Sequence, residues 1–195
     1  MKLCIDPGHG GHDSGATFRG LLEKDVVLDI ALRVGAMALK SHSMTVLLTR
    51  TTDLYLGRIA RAGIANEWNA DAFLSVHANA DPDQDQPGDP EARGIETLYW
   101  HHSARGRLLA EAVGWSLVDE MCHVEPWRGA KPRNDLAVLQ HTDAPAIIAE
   151  VGFLDREETA RSFADPEVLD RIAFGLFRGV LWWEGLSLPQ TPPVG

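Results

Sequence analysis

IDPGHGGHDSGA, residues 5–16, continues the short apolar run that starts at Lys2 and interrupts it at Asp6-Pro7-Gly8. An apolar run stopped by turn-forming residues reads as a buried strand handing over to a loop. Phe73–Val76 repeats the pattern and stops at His77, inside SVHANA, residues 75–80. In open α/β sheets, ligands collect at the carboxyl ends of the strands. His9 and His77 each sit just past such an end, so the two can converge on one site. Glu23 precedes the apolar-periodic stretch Val26, Val27, Leu28, Ile30 and Ala31, where a helix is expected to open.

Two histidines and a carboxylate are the kind of ligand set with which a catalytic zinc leaves its fourth position open for water, and His9, Glu23 and His77 supply it. Each residue also has a plainer reading. A histidine after a strand is commonly solvated or hydrogen-bonded, and a glutamate in a first helical turn is stabilised by the helix dipole. Sites of this composition accept other first-row metals as well. Gly8, Gly10, Gly11 and Gly15 suit a backbone that turns sharply while approaching a ligand. The run lacks the Lys-Ser/Thr ending of a phosphate-binding loop and the spacing of a dinucleotide fingerprint, so nucleotide binding has weak support.

Working outward, strands are expected near 2–6, 44–49, 72–77, 94–99, 135–139 and 146–151, alternating with helices near 24–41, 55–69, 103–122 and 165–185. This is the pattern of a single α/β domain with a six-stranded, mostly parallel or mixed sheet and helices on both faces. The 195 residues are enough for one sizeable core, and a 45% hydrophobic, 24% charged composition is that of a globular protein. The domain is expected over 1–187, with a Pro-rich tail at 188–195. A net charge of -10 argues against nucleic acid and anionic membranes as partners. No apolar run is long enough to span a membrane, and because Met1-Lys2 lead straight into the first strand no signal peptide is expected. Cys4 reads as a small buried residue, and Cys4 with Cys122 makes no disulfide framework.

In order along the chain stand IDPGHGGHDSGA, GLLEKDVVLDIALRV, VLLTRTTD with RIARAGIAN, ADAFLSVHANA, GIETLYW and LAVLQHTDAPAIIAEVGFL. This series resembles the zinc-dependent N-acetylmuramoyl-L-alanine amidases of the type called amidase 3, over about Leu3 to Leu181. The resemblance implies that His9, Glu23 and His77 are zinc ligands and that Glu150 in EVGFL is the catalytic glutamate. It implies a Zn2+ cofactor, peptidoglycan as substrate, and cleavage of the amide between N-acetylmuramic acid and L-alanine. From the residues alone, Glu150 interrupts the apolar run Ala146–Val151, where a carboxylate needs either a role or a partner such as a nearby arginine. Gln140, where a basic residue is common, and His42-Ser43, in place of a glycine turn, depart from the family pattern.

Other expectations follow. Asn79 lines the site or holds its loop through an asparagine turn, while Arg50 and Arg58 bind an anionic substrate or form structural ion pairs. Trp127 stacks on substrate or packs, and Trp182-Trp183 close the last helix onto the sheet. The stretch from Asn79 to Arg93 borders the substrate groove, and no segment has the length and apolarity of an autoinhibitory helix, so the site is expected to be open. The chain is expected to act as a monomer, made in the cytoplasm and reaching the wall after release, as a phage endolysin does, unless an export signal has been removed. A zinc peptidase acting on another amide, and a peptidoglycan-binding protein that does not cut, are the alternatives.

Overall fold

The computed structural model describes residues 1–81, 92–121 and 125–185. Six strands form one sheet in the order β4-β1-β5-β8-β6-β7: β1 Lys2–Pro7, β4 Thr45–Leu48, β5 Ala72–Asn79, β6 Ile95–Trp100, β7 Trp127–Arg133 and β8 Ala146–Phe153. β4, β1, β5 and β8 run parallel, β6 runs antiparallel to β8, and β7 is parallel to β6. A two-stranded hairpin, β2 Thr17–Phe18 and β3 Leu21–Leu22, leads into the first helix.

One face of the sheet is covered by α1 (Glu23–Lys40), α3 (Ala104–Glu120) and α6 (Pro166–Glu184), whose Ile30, Val34, Leu109, Val113, Ile172 and Leu176 join the larger apolar core. The other face carries α2 (Arg58–Glu67) and the short α4 (Ala137–His141) over a smaller cluster of Cys4, Phe73, Leu98 and Ile148. α5 (Glu157–Phe163) follows β8. The helix ends follow local chemistry. The Ser103 hydroxyl accepts from the Gly106 N–H and caps α3; Asp165 caps α6, with Pro166 in its first turn and Gly185 closing it at φ 71°.

The fold class is as the sequence implies, with two local corrections. The strand expected at 135–139 is helix α4, and the sixth strand is Trp127–Arg133. A four-residue apolar run such as Leu136–Leu139 is compatible with a buried strand or a buried helical turn. Trp127–Arg133 lacks alternation and holds Pro132, which an edge strand tolerates because its outer donors need no partner. α5 and the hairpin were not expected. Most of the stretch between Asn79 and Arg93, as well as Cys122 and the 188–195 tail, lies outside the described residues. Trp183 packs against the core, whereas Trp182 is exposed with Arg178 over its ring at 4.6 Å, so the pair does not close the helix as a unit.

α6 approaches α3 closely at Gly179. A Cβ built on Gly179 would lie 2.5 Å from Val113 Cα, backbone that cannot yield. Gly179→Ala is therefore expected to destabilise the fold by about 1–3 kcal/mol through overpacking, read as a lower urea midpoint with an unchanged m-value.

Candidate active site

Glu23, the first residue of α1, is 3% exposed and sits between two imidazoles. Its Oε1 lies 3.1 Å from His9 Nε2 and 3.1 Å from His77 Nδ1, and the two rings stand 4.9 Å apart at 75°. One donor atom from each of the three residues falls within 4.8 Å of the others. The carboxylate is aimed by backbone donors: Ala78 N–H to Oε1 at 2.9 Å and Ala16 N–H to Oε2 at 2.8 Å. His9 Nδ1 lies 2.9 Å from Asp13 Oδ1, a carboxylate behind the ring.

The electrostatics follow from that packing. Burial alone raises a carboxyl pKa, yet the bonds from His77 and His9 hold Glu23 well below the usual range. Burial likewise opposes a charged His77, but the Glu23 carboxylate overcomes it and lifts the imidazole to about 9. The centre attracts positive charge between its three donors. Two imidazole nitrogens and one carboxylate, converging in a solvent-reached cleft, fit the donor set of a catalytic zinc.

His9 has φ 58°, unusual outside glycine, and the loop around it is held from beneath. Arg50 donates to the carbonyls of Pro7, Gly8, Thr52 and Lys24; Arg61 donates to those of Pro7, His9 and Leu56 and to Asp6 Oδ1 at 2.7 Å. Both arginines are buried. Asp6, 1% exposed, also accepts from Thr49 Oγ1 at 2.5 Å and Ser75 Oγ at 2.7 Å. Three successive carbonyls, 7 to 9, are thus turned inward onto guanidinium groups. Gly8 is required beside them, because a Cβ there would lie 2.3 Å from the His77 ring; at Gly15, φ 64°, one would lie 2.4 Å from Glu23 Oε2.

Glu150 stands beside His77 in the β5–β8 register. Its Oε2 is buried without a hydrogen-bond partner, and burial pushes the carboxyl up to about 7. A carboxyl that changes protonation near neutrality, next to the histidines, is equipped to take and return a proton. His9, His77 and Glu150 line one cleft of about 720 Å³ with Tyr55, Ile59 and Leu136.

The four residues singled out in the sequence are therefore brought together: His9, Glu23 and His77 as one cluster, Glu150 adjacent. Among the described residues no cation pairs with Glu150, so the arginine-paired alternative is not seen. Arg50 is neither a substrate group nor an ion-pair partner, since its donors serve backbone carbonyls. Arg58 lines the cleft. Asn79 accepts from Ala80 N–H and donates to Glu96 at 3.3 Å, and it is not among the residues that line the cleft. Trp127 packs under Gly114 and beside Trp115, ring centroids 5.9 Å apart, so it is a packing residue. Sequence reading missed Asp6, Arg61 and Asp13. Arg61 carried a signal, a charge three residues after Arg58 on a short helix whose inner face needs small or apolar residues.

Residues 3–181 match the family described as N-acetylmuramoyl-L-alanine amidase. The chain is 34% identical to N-acetylmuramoyl-L-alanine amidase CwlM of Bacillus licheniformis over 92% of its own length and 67% of that protein's. It is 33% identical to the endolysin of Bacillus phage SPP1, over 91% of its own length and 64% of the endolysin's. It spans about two thirds of the length of these relatives. Among solved structures it resembles AmiC2 of Nostoc punctiforme, TM-score 0.84 at 34% identity over 95% and 97% of the two chains. It also resembles an amidase from Clostridium difficile 630, TM-score 0.86 at 32% identity over 94% and 96%.

Arg61→Met leaves Asp6 charged, buried and without its cation, and frees the Leu56 and His9 carbonyls, while Pro7 keeps its bond from Arg50. The expected cost is about 3–5 kcal/mol in chemical denaturation. Arg61→Lys recovers only part of it, because one ammonium cannot reproduce a planar fork that serves four acceptors.

Proposed function

This chain belongs to the N-acetylmuramoyl-L-alanine amidase family, and from that premise we propose that it hydrolyses the amide joining the lactyl group of N-acetylmuramic acid to L-alanine in peptidoglycan. The observation that carries the reading is the convergence of His9, Glu23 and His77 one strand away from the partnerless Glu150. We assign the three residues as zinc ligands and Glu150 as the catalytic residue.

Zinc, when bound, supplies a Lewis acid that polarises the scissile carbonyl and lets water lose a proton near neutral pH. The protein's part is positional and acid–base. Glu150 takes the proton from the attacking water as the new C–O bond forms. It then gives that proton to the alanine nitrogen as the C–N bond breaks, leaving a carboxylate on the sugar side and a free amine on the peptide. A carboxyl near pKa 7 suits both transfers. Asp13 orients His9, while Ala16 and Ala78 orient Glu23. Likeness to a phage endolysin supports a lytic role at the wall. No helix among the described residues is long and apolar enough to cross a membrane.

The test is zinc content together with release of stem peptides from purified peptidoglycan, before and after chelation and zinc re-addition. About one zinc per chain and chelator-sensitive appearance of L-alanine amino termini are expected. Zinc without release would redirect the site to another amide or to binding alone.

Three substitutions separate the roles. Glu150→Ala is expected to keep zinc and lose roughly 10²–10⁴-fold in turnover. His77→Ala loses zinc first, seen by chelator competition. Gly8→Ala, which displaces the His77 ring, weakens zinc about 10–100-fold with the far-UV spectrum intact.

A further inference from the structure

We propose that Asp53 is a positioning residue for the metal centre: with Lys24 it clamps the turn at residues 10–13, and that turn sets the Asp13 carboxylate behind the His9 ring. This rests on the assignment above of His9, Glu23 and His77 as zinc ligands. It adds a control on that centre from a side chain that lies outside it.

The turn cannot hold itself. Gly8, Gly10, Gly11 and Gly15 surround it, with Gly10 and Gly11 at φ 122° and 59°. Glycine loses more conformational freedom on ordering than any other residue, so such a stretch keeps one shape only where other segments grip it. Arg50 and Arg61 bond the carbonyls of Pro7, Gly8 and His9. Beyond them Gly11 is gripped on both of its polar groups. Its N–H donates to Asp53 Oδ1 at 2.7 Å, and its carbonyl accepts from the Lys24 ammonium at 2.9 Å. The same ammonium donates to Asp53 Oδ2 at 2.7 Å, which closes a ring of bonds around one glycine.

Both anchors of that ring are fixed from other parts of the fold. Lys24 follows Glu23 in the first turn of α1, its N–H donates to the Ser14 carbonyl, and its side chain is only 13% exposed. Asp53 lies on the segment after β4, where the backbone presses close to the turn. A Cβ on Gly10 would lie 2.2 Å from the Leu54 carbonyl oxygen, and one on Gly11 2.9 Å from Tyr55 N. His12 rests on the Tyr55 ring, centroids 4.0 Å apart, so this segment supports the turn twice. The Lys24 ammonium, and after it the Gly11 N–H, hold the Asp53 carboxyl below its ordinary range. An exposed ion pair adds little stability by itself. What this one adds is direction to a loop.

The turn passes that direction to the centre. Gly10 and Asp13 exchange two backbone bonds, 2.9 and 3.1 Å long, so a turn held at Gly11 carries Asp13 with it. The Asp13 carboxylate accepts from the Gly15 N–H at 3.1 Å, and its Oδ1 stands 2.9 Å from His9 Nδ1. These two atoms are close but not aligned as a hydrogen bond, and Nδ1 is buried. Hydrogen bonds weaken steeply with misalignment, so a small displacement of the turn decides whether the carboxylate bonds the ring. A carboxylate that accepts from Nδ1–H fixes the tautomer in which Nε2 is the metal donor, and Nε2 is the atom that His9 already turns to Glu23. Asp53 acts on His9 along this path, through Gly11 and Asp13.

The experiment measures the zinc dissociation constant by chelator competition in a double-mutant cycle of Asp53→Ala and Asp13→Ala, with the urea midpoint of each zinc-free variant alongside. Asp53→Ala is expected to weaken zinc about tenfold, the lower end of what losing a ligand's supporting partner costs, and to add less than about twofold once Asp13 is already alanine. Lys24→Met opens the same ring from its other side, and its loss is expected not to add to that of Asp53→Ala. Asp53→Asn keeps an acceptor for the Gly11 N–H and is expected to recover part of the affinity. It also takes the place of Asp53→Ala in the cycle if the alanine chain does not fold. A role confined to stability gives the opposite pattern, a lower urea midpoint with zinc affinity unchanged. Unchanged zinc affinity in the Asp53 variants, or an equal loss with and without Asp13, would overturn the proposal. A wild-type protein that binds no zinc would overturn the ligand assignment itself, and the positioning role with it.

Discussion

A buried carboxylate organises this molecule. Glu23 is withdrawn from water with no lysine or arginine beside it among the described residues, a placement that is expensive unless every lone pair is used. Its two oxygens accept from Ala16 and Ala78 and face His9 and His77, so one side chain ties the start of α1 to the loop after β1 and to β5. The charge it keeps is what lifts His77, and the field it creates is satisfied only by positive charge between the donors. Protons supply that charge when nothing else does, and a cation that takes the place must displace them.

That arrangement needs a rigid frame, and the frame is built from charges that never touch the cleft's chemistry. Arg50 and Arg61 are long side chains whose burial costs more than an exposed ion pair returns. Their donors go to carbonyls of the His9 loop and to Asp6, which in turn holds Thr49 on β4's edge and Ser75 on β5. The guanidinium forks fix the direction of three peptide planes, and through them the positive φ at His9. Gly8 and Gly15 complete the frame by leaving the volume that the His77 ring and Glu23 occupy. The loop is held by both what fills its underside and what is missing above it.

The parts legible in the sequence share a physical property: their environment repeats along the chain. β1, β5 and β8 are buried on both faces, so they read as continuous apolar runs, and His77 and Glu150 stand out as polar interruptions of them. Glu23 was visible because helix α1 has a clear apolar period behind it. The parts that were hidden depend on partners far away in sequence. Trp127–Arg133 becomes a strand only because β6 offers an edge, and its own residues lack the alternation that a half-buried strand needs. Leu136–Leu139 is apolar enough for a strand and short enough for a helical turn, and tertiary packing against α2 decides it. Arg61 joins Asp6 across 55 residues, and no local pattern announces that pairing.

The two faces of the sheet explain why the cleft is where it is. α1, α3 and α6 seal one face with hydrocarbon, which carries the larger share of the apolar burial. On the other face α2 and the single-turn α4 cover Cys4, Phe73, Leu98, Ala146 and Ile148, and the sheet continues past them with Ser75, Glu150 and Glu96 in adjoining strands. Polar residues on a sheet face are costly beneath a packed helix and tolerable beneath an open cleft. The shortness of α2 and α4 is therefore what permits Glu150 to sit without a partner, and a partnerless carboxyl is what the chemistry assigned to this cleft requires. A longer α4 would add apolar burial on that face and would close the space in which Glu150 exchanges its proton.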